Sequence, residues 1–300
     1  MGKRLDLKVG YSCNNNCWFC AQGDKKLLGD KTLAEIKRDL ELAKKNSCDE
    51  VVLTGGEPTI RKDFLEVVAY AKELGYKEIQ IQTNGRMFFY KDFCKDAIKA
   101  GATEFGMALH GDIPEVHDFL TRSPGAFKQT VQGIKNLKEL GQRVISNSVI
   151  VKANYSRAPK IAKLLCDLEV LQYQMAFVHG SGSAGDNYES VMPFKSLAVP
   201  YMIDALRVGI ERGVQVMIEA VPPCLLPGYE QYASEHFIPR YQEVREKTFV
   251  IADFGKVRKE ELKLKFPQCN ECIYNKVCEG PWKEYPEKKG CEEFNPVKKS

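Results

Sequence analysis

The 300-residue chain has no run of about eighteen apolar residues, and its opening "MGKRLDLKVG" lacks the apolar core of a secretory signal. No membrane span is therefore expected, and the cytoplasm is the expected compartment. An excess of charge of one sign is also missing. Forty-four Lys and Arg stand against 40 Asp and Glu, a net of +4, and the lysines are scattered over helix faces rather than massed, so nucleic acid is not an expected partner. Histidine is scarce, at four. There is no internal repeat longer than one strand-plus-helix unit.

Cysteine is plentiful, with eleven residues. Disulfides are uncommon in a reducing compartment, so these thiols call for another explanation. Cys13, Cys17 and Cys20 cluster near the start, and Cys269, Cys272, Cys278 and Cys291 near the end. Cys48, Cys94 and Cys166 read as small buried hydrophobes. Cys224 stands alone in "AVPPCLLPG".

Between the clusters, short apolar stretches alternate with helical patterns. "RLDLKVG", "EVVLTGG", "EIQIQTNG", "EFGMALHG", "RVISNSVIV" and "QYQMAFVHG" read as strands. The intervening segments carry helical stripes, the first of them, "KTLAEIKRDLELAKK", with Thr32 and Glu35 as a capping box. Six such units predict an α/β fold, a partial (β/α)6 TIM-like barrel of parallel strands joined by right-handed crossovers. The expected division is a barrel over residues 1–215 and a small cysteine-rich C-terminal extension over 216–300, with "VQVMIEAVPPC" as a further strand leading into it. In such barrels the chemistry gathers at the carboxyl ends of the strands. The cysteine loop, "GGEPT", "TNGR", "HGD" and "HGSGSAG" all fall there.

Three thiolates are too few to saturate a four-iron cubane and leave one iron with an open position. Structural zinc wants four ligands, and neither His110 nor His117 lies near the triplet in sequence. A chance cluster of buried thiols is the remaining alternative. The glycines at 55 and 56 let backbone approach a ligand closely, and Glu57 offers a charge for its cationic groups. A plain turn with Pro58 opening a helix explains the same residues. His110 ends the fourth strand and is a candidate for contact or proton transfer, with a loop-fixing histidine as the alternative. His117, Asp118 and Arg122 are expected to fix a loop.

"CNNNCWFC", with Phe19 before its third cysteine, resembles the C-x3-C-x2-C signature of radical S-adenosylmethionine enzymes, and "GGEP" resembles that family's second motif. The resemblance implies that Cys13, Cys17 and Cys20 bind a [4Fe–4S] cluster whose fourth iron is chelated by S-adenosylmethionine. It further implies cofactor contacts from Phe19, Gly55, Gly56, Glu57, Pro58, Thr83, Asn84 and Asn147, with backbone partners for adenine at Ala176 and Val178. The implied reaction is reductive cleavage to a 5′-deoxyadenosyl radical that abstracts a substrate hydrogen, with a reductant such as ferredoxin or flavodoxin as partner.

The C-x2-C-x5-C of Cys269, Cys272 and Cys278 resembles the end of the family's twitch and SPASM extensions, but Trp282 stands where a further cysteine belongs. One auxiliary [4Fe–4S] cluster is therefore expected, with Cys224 preferred to Cys291 as fourth ligand and a zinc ion on four cysteines as the alternative. No leader-peptide-binding domain is expected before Cys13. Peptide modification is the preferred function, and radical modification of a small molecule or cofactor precursor is the alternative. A non-enzymatic iron–sulfur electron carrier would need the cysteines but not the other strand-end motifs, and a zinc-stabilised RNA-binding protein would need a basic groove that the sequence does not offer.

Overall fold

The computed structural model describes residues 3–238 and 241–298. Each expected βα unit forms. Strand β1 (Lys3–Gly10) leads through the cysteine loop to α1 (Leu33–Lys45), capped by Thr32 and Glu35 as the sequence predicts. Then follow β2 (Cys48–Gly55), α2 (Phe64–Glu73), β3 (Glu78–Thr83), α3 (Lys91–Ala100), β4 (Glu104–Ala108), α4 (Pro114–Thr121), α5 (Ala126–Glu139), β5 (Arg143–Ile150), α6 (Ala158–Asp167) and β6 (Gln172–Phe177). Two one-turn helices, α7 (Ser183–Asp186) and α8 (Tyr188–Val191), precede the long α9 (Lys195–Glu211) and β7 (Gln215–Glu219).

The sheet order is β7-β6-β5-β4-β3-β2-β1-β8-β9. Strand β8 (Gln242–Arg245) pairs in parallel with β1, and the two-residue β9 (Val250–Ile251) adds antiparallel to β8. The sheet thus continues past residue 215 on one edge through β7 and gains β8 on the other. The sequence reading had no strand at β8. "QEVR" is short and charged, and it is held by side chains: Arg245 bonds Glu243 (2.6 Å) and Asp39 (3.1 Å).

The strands alternate, although parallel strands covered on both faces usually read as continuous apolar runs. Leu5, Leu7, Ile79, Ile81, Phe105, Tyr173, Met175 and Ile218 point to the helices and are buried in the core. Their neighbours point inward: Asp6 and Lys8, Gln80 and Gln82, Gln172 and Gln174, and Glu219 line a central cavity of about 970 Å3. The core therefore lies between sheet and helices, and the lumen is polar. Cys48, Cys94 and Cys166 are buried in that core, Cys94 donating to the Phe88 carbonyl (3.1 Å).

The last segment packs back onto the barrel. The Lys195 N–H donates to Tyr285 Oη (2.9 Å) and the Ser196 N–H to Glu293 (2.7 Å), while Lys195 Nζ lies 3.4 Å from the Phe177 ring centroid and 4.6 Å from that of Tyr285. No helix among the described residues is long and apolar enough to cross a membrane.

Candidate functional site

The cysteine loop leaves β1 at Gly10 and is tied down on three sides. Asp30 accepts from the N–H groups of Tyr11 (2.8 Å) and Ser12 (2.9 Å). Backbone bonds from Asn16 and Trp18 reach the carbonyls of Thr121 and Leu120 at the end of α4, and Arg122 covers the Trp18 ring at 4.4 Å. From the β6 loop, the Ser183 N–H donates to the Cys20 carbonyl (2.9 Å). Gly182 permits this approach: it has φ +55°, and a Cβ there would lie 2.5 Å from that same oxygen.

Cys13, Cys17 and Cys20 are free thiols on this loop. Burial pushes all three up, Cys13 to about 11, and for Cys17 the neighbouring Cys20 and Cys13 add to it. Such thiols keep their protons at neutral pH unless a metal displaces them. No three His, Cys, Asp or Glu side chains among the described residues converge on a single-ion site. A cubane sits among its thiolates and holds them farther apart than one ion would, so the donor set of three on one loop fits a cluster with an open iron better than it fits zinc.

The second strand end is braced. Gly56 donates to the Gly10 carbonyl and Glu57 to that of Ser12, both at 2.8 Å, and a Cβ on Gly56 would lie 2.2 Å from the Ser12 oxygen. The glycine thus makes room for the neighbouring strand's backbone. Glu57 is 3% exposed. Its Oε1 accepts from the Thr59 N–H (3.1 Å), the Thr59 hydroxyl (2.5 Å) and the Thr83 hydroxyl (2.7 Å), and its Oε2 accepts from the Asn84 N–H (2.6 Å). The carboxylate, read from sequence as a ligand contact, joins the loops after β2 and β3. Pro58 opens a short 310 turn, Pro58–Ile60. Asn84 also reaches the cysteine loop, donating to Asn14 Oδ1 (2.6 Å), and Arg86 donates to Asn15 Oδ1 (2.9 Å).

His110 is placed differently from the expectation of a group at the barrel mouth. It is 5% exposed and does not line the central cavity. Its Nδ1 accepts from the Val149 N–H (3.1 Å), its ring meets Phe19 edge-on (4.8 Å), and burial, with His117 beside it, pushes its pKa well below the usual histidine value. His117 Nδ1 in turn accepts from the His110 N–H (3.1 Å), and Asp118 accepts from the N–H groups of Gly125 and Phe127, so His117 and Asp118 fix a loop as expected. Ala176 and Val178 are buried at the end of β6, where the Val178 N–H is already taken by the Ile150 carbonyl. Asn147 faces the cavity with Oδ1 unpartnered.

A group that sequence reasoning passed over sits at the other side of the cavity. His179, just past β6, lies between Glu219 and Glu284, 3.4 Å from each, with Trp282 edge-on at 4.5 Å. Burial would lower the His179 pKa, but the hydrogen bonds to the two carboxylates carry it to about 9, so the ring is a cation at neutral pH. Its position at a strand end was the available signal; its partners are distant in sequence.

Near the chain end, Cys224, Cys269, Cys272 and Cys278 line one small apolar cavity, and Cys291 is not part of its wall. Burial pushes the Cys224 thiol up to about 12, with Cys278, Cys272 and Cys269 contributing.

Residues 7–165 match the family model of the radical SAM superfamily. The chain belongs to that superfamily. Membership implies a [4Fe–4S] cluster and S-adenosylmethionine as cofactors, and makes the protein an enzyme. A probable GTP 3′,8-cyclase of Saccharolobus solfataricus is 30% identical over 183 residues, 59% of this chain and 58% of the relative, and one of Sulfolobus acidocaldarius is 30% identical over 154 residues, 50% and 48% of the two chains. The chain thus aligns with about half the length of these curated relatives. Among solved structures, SuiB of Streptococcus suis bound to precursor peptide SuiA superposes with a TM-score of 0.72 at 16% identity, covering 98% of this chain and 74% of that one. Native anSMEcpe with bound AdoMet and Cp18Cys peptide gives 0.67 at 14%, covering 97% and 94%. Both likenesses are of fold.

Proposed function

We propose that this radical SAM enzyme abstracts a hydrogen atom from a peptide substrate held in the central cavity. The observation that carries the proposal is the junction of three half-buried thiols on one braced loop with a polar lumen that reaches Ala21 and Gln22, the residues directly after Cys20. Cys13, Cys17 and Cys20 would hold the cluster. Bound S-adenosylmethionine would supply the hydrogen acceptor there, a 5′-deoxyadenosyl radical left when one electron from a ferredoxin- or flavodoxin-type donor breaks its C5′–S bond and methionine departs. The chain's own part is to orient and to exclude water. Glu57 fixes the strand-two and strand-three loops that face the cysteine loop, Asn84 and Arg86 clasp that loop directly, and the β6 loop closes over Cys20.

A twitch- or SPASM-like extension over 216–300, with one auxiliary [4Fe–4S] cluster on Cys224, Cys269, Cys272 and Cys278, completes the proposal. The four thiols lining a single cavity support this ligand set over one using Cys291. Modification of a small molecule or cofactor precursor is the second reading, favoured by the relatives named as probable GTP 3′,8-cyclases. The test is to incubate reduced enzyme with S-adenosylmethionine and deuterated candidates. Deuterium from a peptide α- or β-carbon is expected in 5′-deoxyadenosine, and transfer only from a nucleotide, sugar or free amino acid would overturn the peptide reading.

A further inference from the structure

The wall that residues 222–298 present to the central cavity carries polar atoms with no partner. Ser234 Oγ, Glu235 Oε2, Arg258 Nη1 and Trp282 Nε1 are buried and unbonded, as are Asn147 Oδ1 and Gln22 Oε1 across the lumen. Ser234 is 1% and Arg258 5% exposed. Buried polar atoms in native proteins are nearly always paired, so six unpaired ones on residues that line one cavity mark a wall where a small side-chain movement would bring them onto a ligand or ordered water.

Several of these groups are also held in place from behind. Arg258 gives Nε and Nη2 to Glu279 as a fork, both at 2.8 Å, which leaves Nη1 for the cavity. Glu235 gives Oε1 to Lys263, which leaves Oε2. Trp282 is fixed by a bridge to Lys263 and by its contact with His179, which leaves its N–H. Groups with locked rotamers lose little entropy on binding, which is what a recognition surface requires.

We infer that this wall is the substrate-recognition surface, and that it takes a peptide segment of neutral or positive charge rather than a polyphosphate. The inference rests on the peptide reading proposed above and goes beyond it by naming the residues and the charge class. An amide presents one acceptor and one donor. Arg258 Nη1 and Trp282 Nε1 are donors for carbonyls, Glu235 Oε2 and Asn147 Oδ1 are acceptors for N–H groups or for a lysine or arginine side chain, and Ser234 serves either. A triphosphate offers only acceptors and several negative charges. Eight carboxylates line the cavity against five Lys and Arg side chains. All five cations are already paired: Arg4 with Glu50, Lys8 with Asp6, Lys25 with Glu246, Arg143 with Glu104 and Arg258 with Glu279. His179 lies between two carboxylates. Apart from the open Nη1 of Arg258, a polyphosphate would have to displace an existing pair at each cation that lines this lumen.

The test uses cluster-loaded enzyme saturated with S-adenosylmethionine under anaerobic conditions. An equimolar library of hexapeptide amides is passed over the protein and the retained peptides are read by mass spectrometry, and GTP binding is measured by equilibrium dialysis. Retention of peptides bearing Lys, Arg or neutral amide side chains over those bearing Asp or Glu is expected, with no GTP bound at millimolar concentration. Glu235→Gln keeps the shape and removes the charge, so preference for Lys and Arg should fall by about tenfold, the worth of one charge-assisted hydrogen bond. Trp282→Phe keeps the ring against His179 and removes only the N–H, so all retained peptides should weaken while the melting temperature holds. Preferential retention of acidic peptides, no retention at all, or GTP binding that weakens in Trp282→Phe would each overturn the inference. Slow release of 5′-deoxyadenosine is assayed in parallel. If it persists when no peptide is retained, the recognition surface is wrong and the radical reaction stands; if it is absent, the functional reading beneath it fails as well.

Discussion

Glu57→Gln tests whether the strand-two motif acts through the chain or on the cofactor. In the native site four donors converge on one carboxylate, two of them backbone N–H groups, of Thr59 and Asn84, and two of them hydroxyls, of Thr59 and Thr83. Glutamine has nearly the same shape but replaces one acceptor oxygen with an amino group. If that group faces Asn84, the Asn84 N–H loses its acceptor; if it faces Thr59, the Thr59 N–H does. The hydroxyls can turn to accept from it, but a backbone N–H cannot, so one buried donor is orphaned in either orientation. The cost is about 1–3 kcal/mol. At about 2–4 °C per kcal/mol, this predicts a melting temperature roughly 2–12 °C lower. Loosening of the Asn84 loop should weaken S-adenosylmethionine binding less than about tenfold, because Asn84 still bonds Asn14 across the cysteine loop. Differential scanning fluorimetry and anaerobic equilibrium dialysis on the same preparations check both numbers. An unchanged melting temperature with affinity reduced well beyond tenfold would mean that the carboxylate itself meets the cofactor, and the bracing argument would be refuted.

Two further perturbations separate alternatives. Cys224→Ala should lose about four iron atoms per chain, the content of one cubane, while Cys291→Ala keeps them; loss in the Cys291 variant alone would reassign the fourth ligand. His117 is held neutral, with burial and then Arg86 pushing its pKa down to about 4 against the opposing pull of Asp118. The unfolded chain takes up the proton near pH 6.5 and the native state only near 4, so stability is present above 6.5 and falls as pH drops through that window, by about 3 kcal/mol. His110, also held neutral by burial, adds a slope of the same sign, so His117→Asn, which can still accept from the His110 N–H, should reduce but not abolish the pH dependence of the urea-unfolding midpoint between pH 4.5 and 7, and an unaltered slope would show that the proton is taken up elsewhere.

The barrel was legible because its signals are local. Apolar periodicity within eight residues fixes a strand, and Thr32 with Glu35 fixes the start of α1. The same periodicity held more information than the strand assignments drew from it. "EIQIQT" and "QYQMAF" alternate glutamine with apolar residues, which parallel strands covered on both faces do not require, and the structure uses the alternation to make a polar lumen. Strand β8 was illegible for the opposite reason, since of its four residues only Val244 is apolar, and the pairing with β1 that makes it a strand is distant in sequence. The surroundings of two strand-end residues were hidden in the sequence for one reason. Glu57 looks like a free charge because its acceptor sites are taken by residues as far off as Thr83 and Asn84, and His110 looks like an exposed strand-end histidine because Val149 and His117, which hold it, lie on other elements.

The cavity depends on the last eighty residues as much as on the barrel. Glu219 at the end of β7 and Glu284 close on His179 from the two regions, so one imidazolium joins them through a pair of charges that neither region neutralises by itself. Behind it, Tyr285 accepts from the first turn of α9 and donates to Glu293, and the Lys195 Nζ, whose pKa burial lowers to about 7, is wedged between the rings of Phe177 and Tyr285 while donating to the Ala220 carbonyl (2.8 Å). These bonds fix the backbone that follows Trp282, and the Lys263 bridge to Trp282 together with the Lys263–Glu235 pair ties Glu235 to it. The wall that faces the lumen is therefore tied to the barrel by bonds within the folded chain, so the recognition surface proposed above would be set against the cysteine loop before a substrate arrives.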